Sequence, residues 1–303
     1  MKVFNDVSSL AAATLTTGQI ISVKEVGDYR IKASGSGITL ANSNVAVPVA
    51  SGTAISVKQF GAVGDGVADD TAAIQAALNS IRTAGRGTVF VPSGVYIIEG
   101  TLNIQGYYGT FKLDSGTILR KPADASDTGP IIDFHSAERC SILGSGYSSV
   151  LEQLCDSPYG VITNGDPDDT TIRTGADHYN TISGLSIIGS GLNSSGLPNK
   201  GLYMRSNDGN TWFHYYNRYS DLAFKNLNIG ISLEGNANAH HFENIFFTNV
   251  ATGTPLANDA AISMKACTNT GGFTGPLDNC FNNMFITGSN NAVMLLMETI
   301  WTV

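Results

Sequence analysis

The chain has 303 residues, of which 42% are hydrophobic and only 14% charged, with 34 glycines and a formal net charge of −8. That length accommodates one extended domain, or a small domain ahead of a larger one. The acidic balance leaves no basic footprint for a phosphate backbone, so nucleic acid is not an expected partner. No apolar run approaches the ~20 residues of a membrane span.

The N-terminus, MKVFNDVSSLAAATLTTG, has one lysine and no continuous apolar region, and Asp6 interrupts it early, so no export signal is expected. Residues 1–41 read as a small separate unit. Asp6 caps a short helix, and GQIISVKEVGDYRIKAS gives two strands around a turn at Gly27-Asp28. Residues 42–54, NSNVAVPVASGTA, are small and uncharged, contain Pro48, and read as a linker.

FGAVGDGVADDTAAIQAAL follows, with Asp65, Asp69 and Asp70 inside six positions. Ile74, Ala77, Leu78 and Ile81 have the i, i+3, i+4, i+7 spacing of one apolar helical face. Asp69 or Asp70 stands where an acceptor satisfies first-turn N–H groups, and Gly64-Asp65-Gly66 reads as a turn leading into that cap. DGVADD does not match a calcium loop, and a metal site needs more ligands than it offers. After the helix come two strands, Thr88–Val91 and Val95–Glu99.

From about residue 180, four segments share the pattern apolar-x-[Asn/Gly]-apolar-x-apolar: 182–187, 224–229, 242–247 and 281–286. Their starts are 42, 18 and 39 residues apart, which suggests coils of about 20 residues with two coils that the pattern misses. Asn and Gly suit a bend because both tolerate left-handed backbone. A stacked β-solenoid accounts for this; a β-sandwich of loosely similar strands is the competing reading. Cys140, Cys155, Cys267 and Cys280 show no paired spacing and read as reduced, buried, small hydrophobes.

VKQFGAVGDGVADDTAAIQAAL followed by GTVFVPSGVYII resembles the start of the pectate-lyase-like right-handed parallel β-helix. That resemblance implies an all-β fold whose helix covers the open N-terminal end. Residues 55–104 then form the N-terminal cap of a β-helix that occupies 105–303. FNDVSSLAAATLTTGQIISVKEVGDYRIKAS resembles the short attachment unit ahead of the β-helix in bacteriophage tailspikes. Together they imply a receptor-binding tailspike or tail-fibre-like virion protein, homotrimeric and assembled in the host cytoplasm. Residues 1–41 would join it to a phage tail or baseplate protein, while its β-helix recognises, and in an enzymatic version depolymerises, bacterial surface polysaccharide. A non-enzymatic adaptor or structural spike is the alternative, and a pectinase-like lyase or glycoside hydrolase a further one. The polygalacturonase branch carries Asn-Thr-Asp, Gly-Asp-Asp and Gly-His-Gly, which are absent here; Arg30-Ile31-Lys32 occurs only ahead of the cap. No cofactor or metal is implied. The repeat breaks at NAVMLLMETIWTV without a polar cover, which suggests a truncated spike or a terminus packed on sister subunits.

The stretch YMRSNDGNTWFHYYNRYSD, 203–221, is the densest in chemistry. Sugar rings pack C–H faces on aromatics and give hydroxyls to Asn, Asp and Arg. Arg205, Trp212, Tyr215, Tyr216, Arg218 and His240 are therefore the candidate substrate-binding residues. Subunit contact explains the aromatic run equally well, and a His beside a turn also serves structurally. Five consecutive large side chains at 212–216 cannot all face inward from a strand. For glycoside hydrolysis, two carboxyls stand roughly 5 Å apart for retention or ~6.5–9.5 Å for inversion, and coils stacked ~4.8 Å apart can provide either. Asp208, Asp221, Glu234 and Glu243 form the candidate catalytic set, each alternatively an ordinary solvated carboxylate. For lyase chemistry, Arg205 and Arg218 are the basic residues beside the aromatic run.

Overall fold

The structure, a computed structural model, describes residues 1–35, 37–49, 54–134, 136–164, 175–191, 199–205, 212–235, 237–251, 260–265, 267–269, 272–274 and 278–287. The N-terminal unit is a sheet in the order Lys2–Phe4, Ile20–Val23, Gly27–Lys32, Val45–Pro48, Ile38–Thr39. Alternation places Ile21, Val23, Tyr29, Ile31 and Ala46 on one face, where they pack with Leu10 of helix Val7–Ala11 in a core of their own. Asp6 caps that helix by accepting from the Ser9 N–H at 2.6 Å. Two sequence expectations shift here. The turn between the strands lies at residues 24–26 rather than at Gly27-Asp28, and Val45–Pro48, inside the expected linker, is a strand paired with Gly27–Lys32.

Gln59 joins this unit to the rest of the chain. Its Nε2 donates to the carbonyls of Asp28 and Val49 at 3.2 and 3.3 Å, and its own carbonyl accepts from Tyr29 Oη at 2.9 Å. The capping helix Thr71–Ala84 buries Ile74, Ala77, Leu78 and Ile81, the face its spacing predicts. Each aspartate before it has a separate task. Asp65 accepts from the Val67 and Ala68 amides, which holds its carboxyl below the usual range. Asp69 accepts from the Thr71 amide and hydroxyl at the helix start. Asp70, buried, turns back to tie down the Val63 and Gly64 amides, and burial raises its pKa. Asp65–Asp69 is itself a short strand rather than only a turn.

Beyond the helix the chain winds into coils that stack as three parallel sheets. Sheet I contains Gly87–Val91, Gly109–Leu113, Ser141–Leu143, Thr181–Ile188, Arg218–Leu227, His241–Val250 and Cys280–Thr287. Sheet II runs Leu102–Asn103, Ile132–Asp133, Gly160–Asn164, Lys200–Arg205, Ile229–Glu234, Ala260–Lys265, and sheet III runs Gly106–Tyr107, Ala137–Glu138, Gly175–His178, Trp212–Tyr215, Ala237–Asn238. The equivalent sheet I positions Val89, Phe111, Ile142, Ile182, Tyr219, Phe242 and Phe281 are in register, 22, 31, 40, 37, 23 and 39 residues apart. Their side chains form one layer of the core. Within it Tyr219, Phe242 and Phe281 stack at 4.8 and 4.7 Å, and in the next layer Phe224 stacks on Phe247 at 5.4 Å.

This register corrects the repeat read from sequence. The partner of Ile182–Ile187 is Tyr219–Phe224, not the segment from Phe224, and the strands are direct neighbours with no missed coil between them. Asp221 fills the bend position of Gly184, Asn244 and Asn283, with φ values of 54°, 71°, 54° and 53°. Asn226 is a genuine left-handed residue too, but it belongs to a second bend shared with Asn249.

Cys140 and Cys155 are buried free thiols as expected, whereas Cys280 is exposed; the Cys267 side chain lies outside the described residues. Among the described residues no helix is long and apolar enough to cross a membrane.

Candidate functional site

Period-two alternation on sheet II sends Ile231 and Leu233 inward, in register with Leu202 and Met204. The residues between them, Tyr203, Arg205, Ser232 and Glu234, are carried on the opposite face. Tyr203 Oη donates to Glu234 Oε2 at 3.1 Å, and Arg205 Nε lies 3.9 Å from the same oxygen. Ser232 Oγ donates to Glu234 Oε1 at 3.4 Å. Lys200 Nζ sits 3.7 Å from the centre of the Tyr203 ring. Burial, with the Glu234 charge added, raises the Tyr203 pKa, so the phenol stays protonated and acts as a donor. Glu234 keeps part of its side chain in solvent at 18% exposure. The arrangement is a carboxylate held by a phenol and a hydroxyl beside a guanidinium, with acceptor and cation both able to face a sugar.

The other candidates stand elsewhere. Arg218 and Glu243 form an exposed ion pair at 3.0 Å on sheet I, beside His241 and Asn282, which lie 3.2 Å apart. Asp221 occupies a bend on the same sheet, and its carboxylate accepts from Asn244 Nδ2 at 3.1 Å; Asn244 accepts in turn from Asn283 at 3.1 Å. An exterior Asx ladder therefore accounts for Asp221. The structure brings Arg205 to Glu234 and Arg218 to Glu243, on different sheets, and does not gather the three described carboxylates, Asp221, Glu234 and Glu243, in one place. Asp208 lies outside the described residues, as do the side chains of Trp212, Phe213 and His214.

His240, expected at the sugar, is 1% exposed and sits in an interior ladder instead. Asn180 accepts from the Cys140 amide at 2.9 Å and donates to the Ala137 carbonyl at 2.8 Å. Asn217 accepts from the Asn180 amide at 2.9 Å, His240 Nδ1 accepts from the Asn217 amide at 3.3 Å, and Asn279 accepts from the His240 amide at 2.9 Å. His240 thus replaces one asparagine of the series. The aromatic run divides as its density demanded: Tyr219 is in the core, Tyr215 is half-buried on sheet III, and Tyr216 is exposed. Tyr203 opens the aromatic-rich stretch 203–221 but is not among the candidate substrate-binding residues; only the register of sheet II sets it against Glu234.

The family described as rhamnogalacturonase A/epimerase, pectate lyase-like, matches residues 54–119, which hold the cap and the first coil. Mannuronan C5-epimerase AlgE1 of Azotobacter vinelandii is 61% identical over 44 residues, 14% of this chain and 3% of that protein. The chain thus spans only a small part of the curated relatives it matches. Among solved structures, full-length tailspike protein 2 of Escherichia coli O157:H7 bacteriophage CAB120 aligns with a TM-score of 0.54 and 14% identity, over 94% of this chain and 40% of that one. A candidate glycosyl hydrolase of Parabacteroides merdae ATCC 43184 aligns with a TM-score of 0.52 and 16% identity, over 78% of this chain and 98% of that one. In-register parallel coils closed by an amphipathic helix, with these similarities of sequence and shape, make the chain an all-β, pectate-lyase-like parallel β-helix.

Proposed function

We propose that the chain is the receptor-binding part of a phage tailspike-like protein, and that the outer face of sheet II around Glu234 contacts bacterial surface polysaccharide. The observation that carries this reading is the Arg205–Glu234 pair, a partly exposed carboxylate and guanidinium on one face of the β-helix, held from behind by the buried Tyr203 phenol. The alignment with the bacteriophage tailspike protein over 94% of the chain supports the tail setting. In this reading the protein is a homotrimer in the virion, assembled in the host cytoplasm. The sheet of residues 1–48, docked through Gln59, faces a tail or baseplate protein. The outward stack of Phe246 on Phe285, at 4.7 Å on sheet I, suits a contact with a sister subunit.

Cleavage is the finer step of the proposal. Glu234 acts on the glycan as acid or base, and Arg205 meets a carboxylate or hydroxyl of the sugar; Asp208, Asp221 and Glu243 stay as candidates for a second carboxylate. The non-enzymatic spike is the second reading, favoured by the three side chains that already engage Glu234. Size-exclusion chromatography of host capsule or lipopolysaccharide, before and after incubation and with ultraviolet absorbance recorded, separates these. Shortened chains with new absorbance mean a lyase, and shortened chains without it a hydrolase. Loss of either activity in Glu234→Gln assigns the residue. Chains of unchanged length leave the attachment role.

A further inference from the structure

A third bend, between sheets III and I, carries one left-handed residue per coil: Tyr108, Arg139, Tyr179, Tyr216, Ala239 and Asp278, with φ between 54° and 58°. At the bend of Gly184, Asp221, Asn244 and Asn283 the same conformation is filled by residues that adopt it with little strain. Here four bulky side chains, Tyr108, Arg139, Tyr179 and Tyr216, are held in it instead, a local cost of the kind that persists where a surface has a task. They form a stack that runs parallel to the coil axis. The Arg139 guanidinium lies 5.6 Å from the Tyr108 ring and 5.1 Å from the Tyr179 ring, and Tyr179 stacks on Tyr216 at 5.5 Å and 13°. The three tyrosines are each more than half exposed.

At Ala239 the series loses its side chain. Tyr179 stacks on one face of Tyr216 and Tyr215 lies tilted beside it at 5.9 Å, while Tyr216 stays 58% exposed and the next coil carries only the methyl group of Ala239 at this bend, one coil before Asp278. Two coil steps of ~4.8 Å separate the Tyr216 and Asp278 positions, room for one flat ring between them. We infer that this notch above Ala239 binds a single pyranose unit of a glycan, stacked on Tyr216 and hydrogen-bonded by Asp278. Charge selects the sugar: an exposed carboxylate at Asp278 in a chain of net charge −8 disfavours uronates and sialic acids, so the occupant is a neutral, hydroxyl-rich pyranose. Arg139 is already neutralised by Glu138 and adds no anion preference.

This deepens the polysaccharide-binding reading at a face of the β-helix other than sheet II. Its test uses an array of neutral and acidic bacterial capsular and O-antigen polysaccharides, with sedimentation velocity on the same samples. Ala239→Tyr fills the notch with the side chain that Tyr179 and Tyr216 already carry at this bend and should fold as the parent does. Expected are parent binding to neutral glycans and a loss of about tenfold or more in both Ala239→Tyr and Tyr216→Ala. Binding to acidic glycans alone, or neutral-glycan binding unaffected by Ala239→Tyr, overturns the notch while the polysaccharide reading stands. Absence of any glycan binding by the parent overturns both. A change of oligomeric mass in the two variants, without loss of glycan binding, makes the bend a subunit contact and likewise overturns the notch.

Discussion

Replacing Asn180 by Ala tests what holds successive coils together at the corner between sheets III and I. The side chain is 1% exposed and serves two backbone groups of the preceding coil, the Cys140 N–H at 2.9 Å and the Ala137 carbonyl at 2.8 Å. The substitution leaves both groups buried without this partner. Each such loss costs about 1–3 kcal/mol, so the pair amounts to about 4 kcal/mol. The matching exterior change is Asn244→Ala, which removes surface hydrogen bonds to Asp221 and Asn283 and puts Ala at φ 54°. Left-handed Ala costs about 1–2 kcal/mol and the solvated hydrogen bonds little more. Urea denaturation followed by far-ultraviolet circular dichroism gives both values on one scale. A loss at Asn180 no larger than that at Asn244 would refute the claim that the interior ladder outweighs the exterior one.

Three further outcomes follow from the same geometry. Phe242→Ala removes a fully buried ring from between Tyr219 and Phe281, and should cost about 3–5 kcal/mol in denaturant stability, at the upper end because two stacked contacts are lost as well. His240→Asn restores asparagine to the interior ladder and should leave both stability and glycan binding within about 1 kcal/mol of the parent; a clear loss of binding with the fold intact would return His240 to the sugar site. Asp127 is raised by burial but, on balance, held below the usual carboxylate range by the Gly129 amide, the buried Lys121 ammonium and the Thr101 hydroxyl. Its contribution is present above the unfolded value near pH 4 and lost as pH falls through the lower folded value, so the stability gap between parent and Asp127→Asn, about 1 kcal/mol at pH 7 because solvent screens the 42% exposed carboxylate, should close below about pH 4.

The cap was legible in the sequence because its signals are local. Four apolar residues at helical spacing and three acceptors beside glycines meet groups a few positions away. The β-helix was legible as a class, yet its register was not. Each coil has more than one left-handed bend, so Phe224-Lys-Asn226-Leu227 copies the pattern at the wrong corner. Loops of unequal length then hide the true spacing. The site was legible in part: Glu234 stood out as a charge beside inward apolar residues and Arg205 as a basic residue near the aromatic run, and register sets the two side by side. The Tyr108–Tyr216 series was invisible, since members 31, 40 and 37 residues apart share neither residue type nor local motif. Only the register of sheet III and the stacking align them. His240 misled because a histidine and an asparagine present the same acceptor to a backbone amide.

The in-register layers also give the scaffold an unusual freedom to change length. Intervals from 22 to 40 residues separate equivalent core positions, and the described strands stay in register across every one of them. Lengthening such a loop carries a closure penalty that grows only logarithmically. Segments can therefore be spliced in, shortened or exchanged between coils while the ruler beneath them keeps its marks. Variation in what the surface recognises is thereby uncoupled from the work of folding, and a library of grafted corner loops could be read out on one unchanged frame.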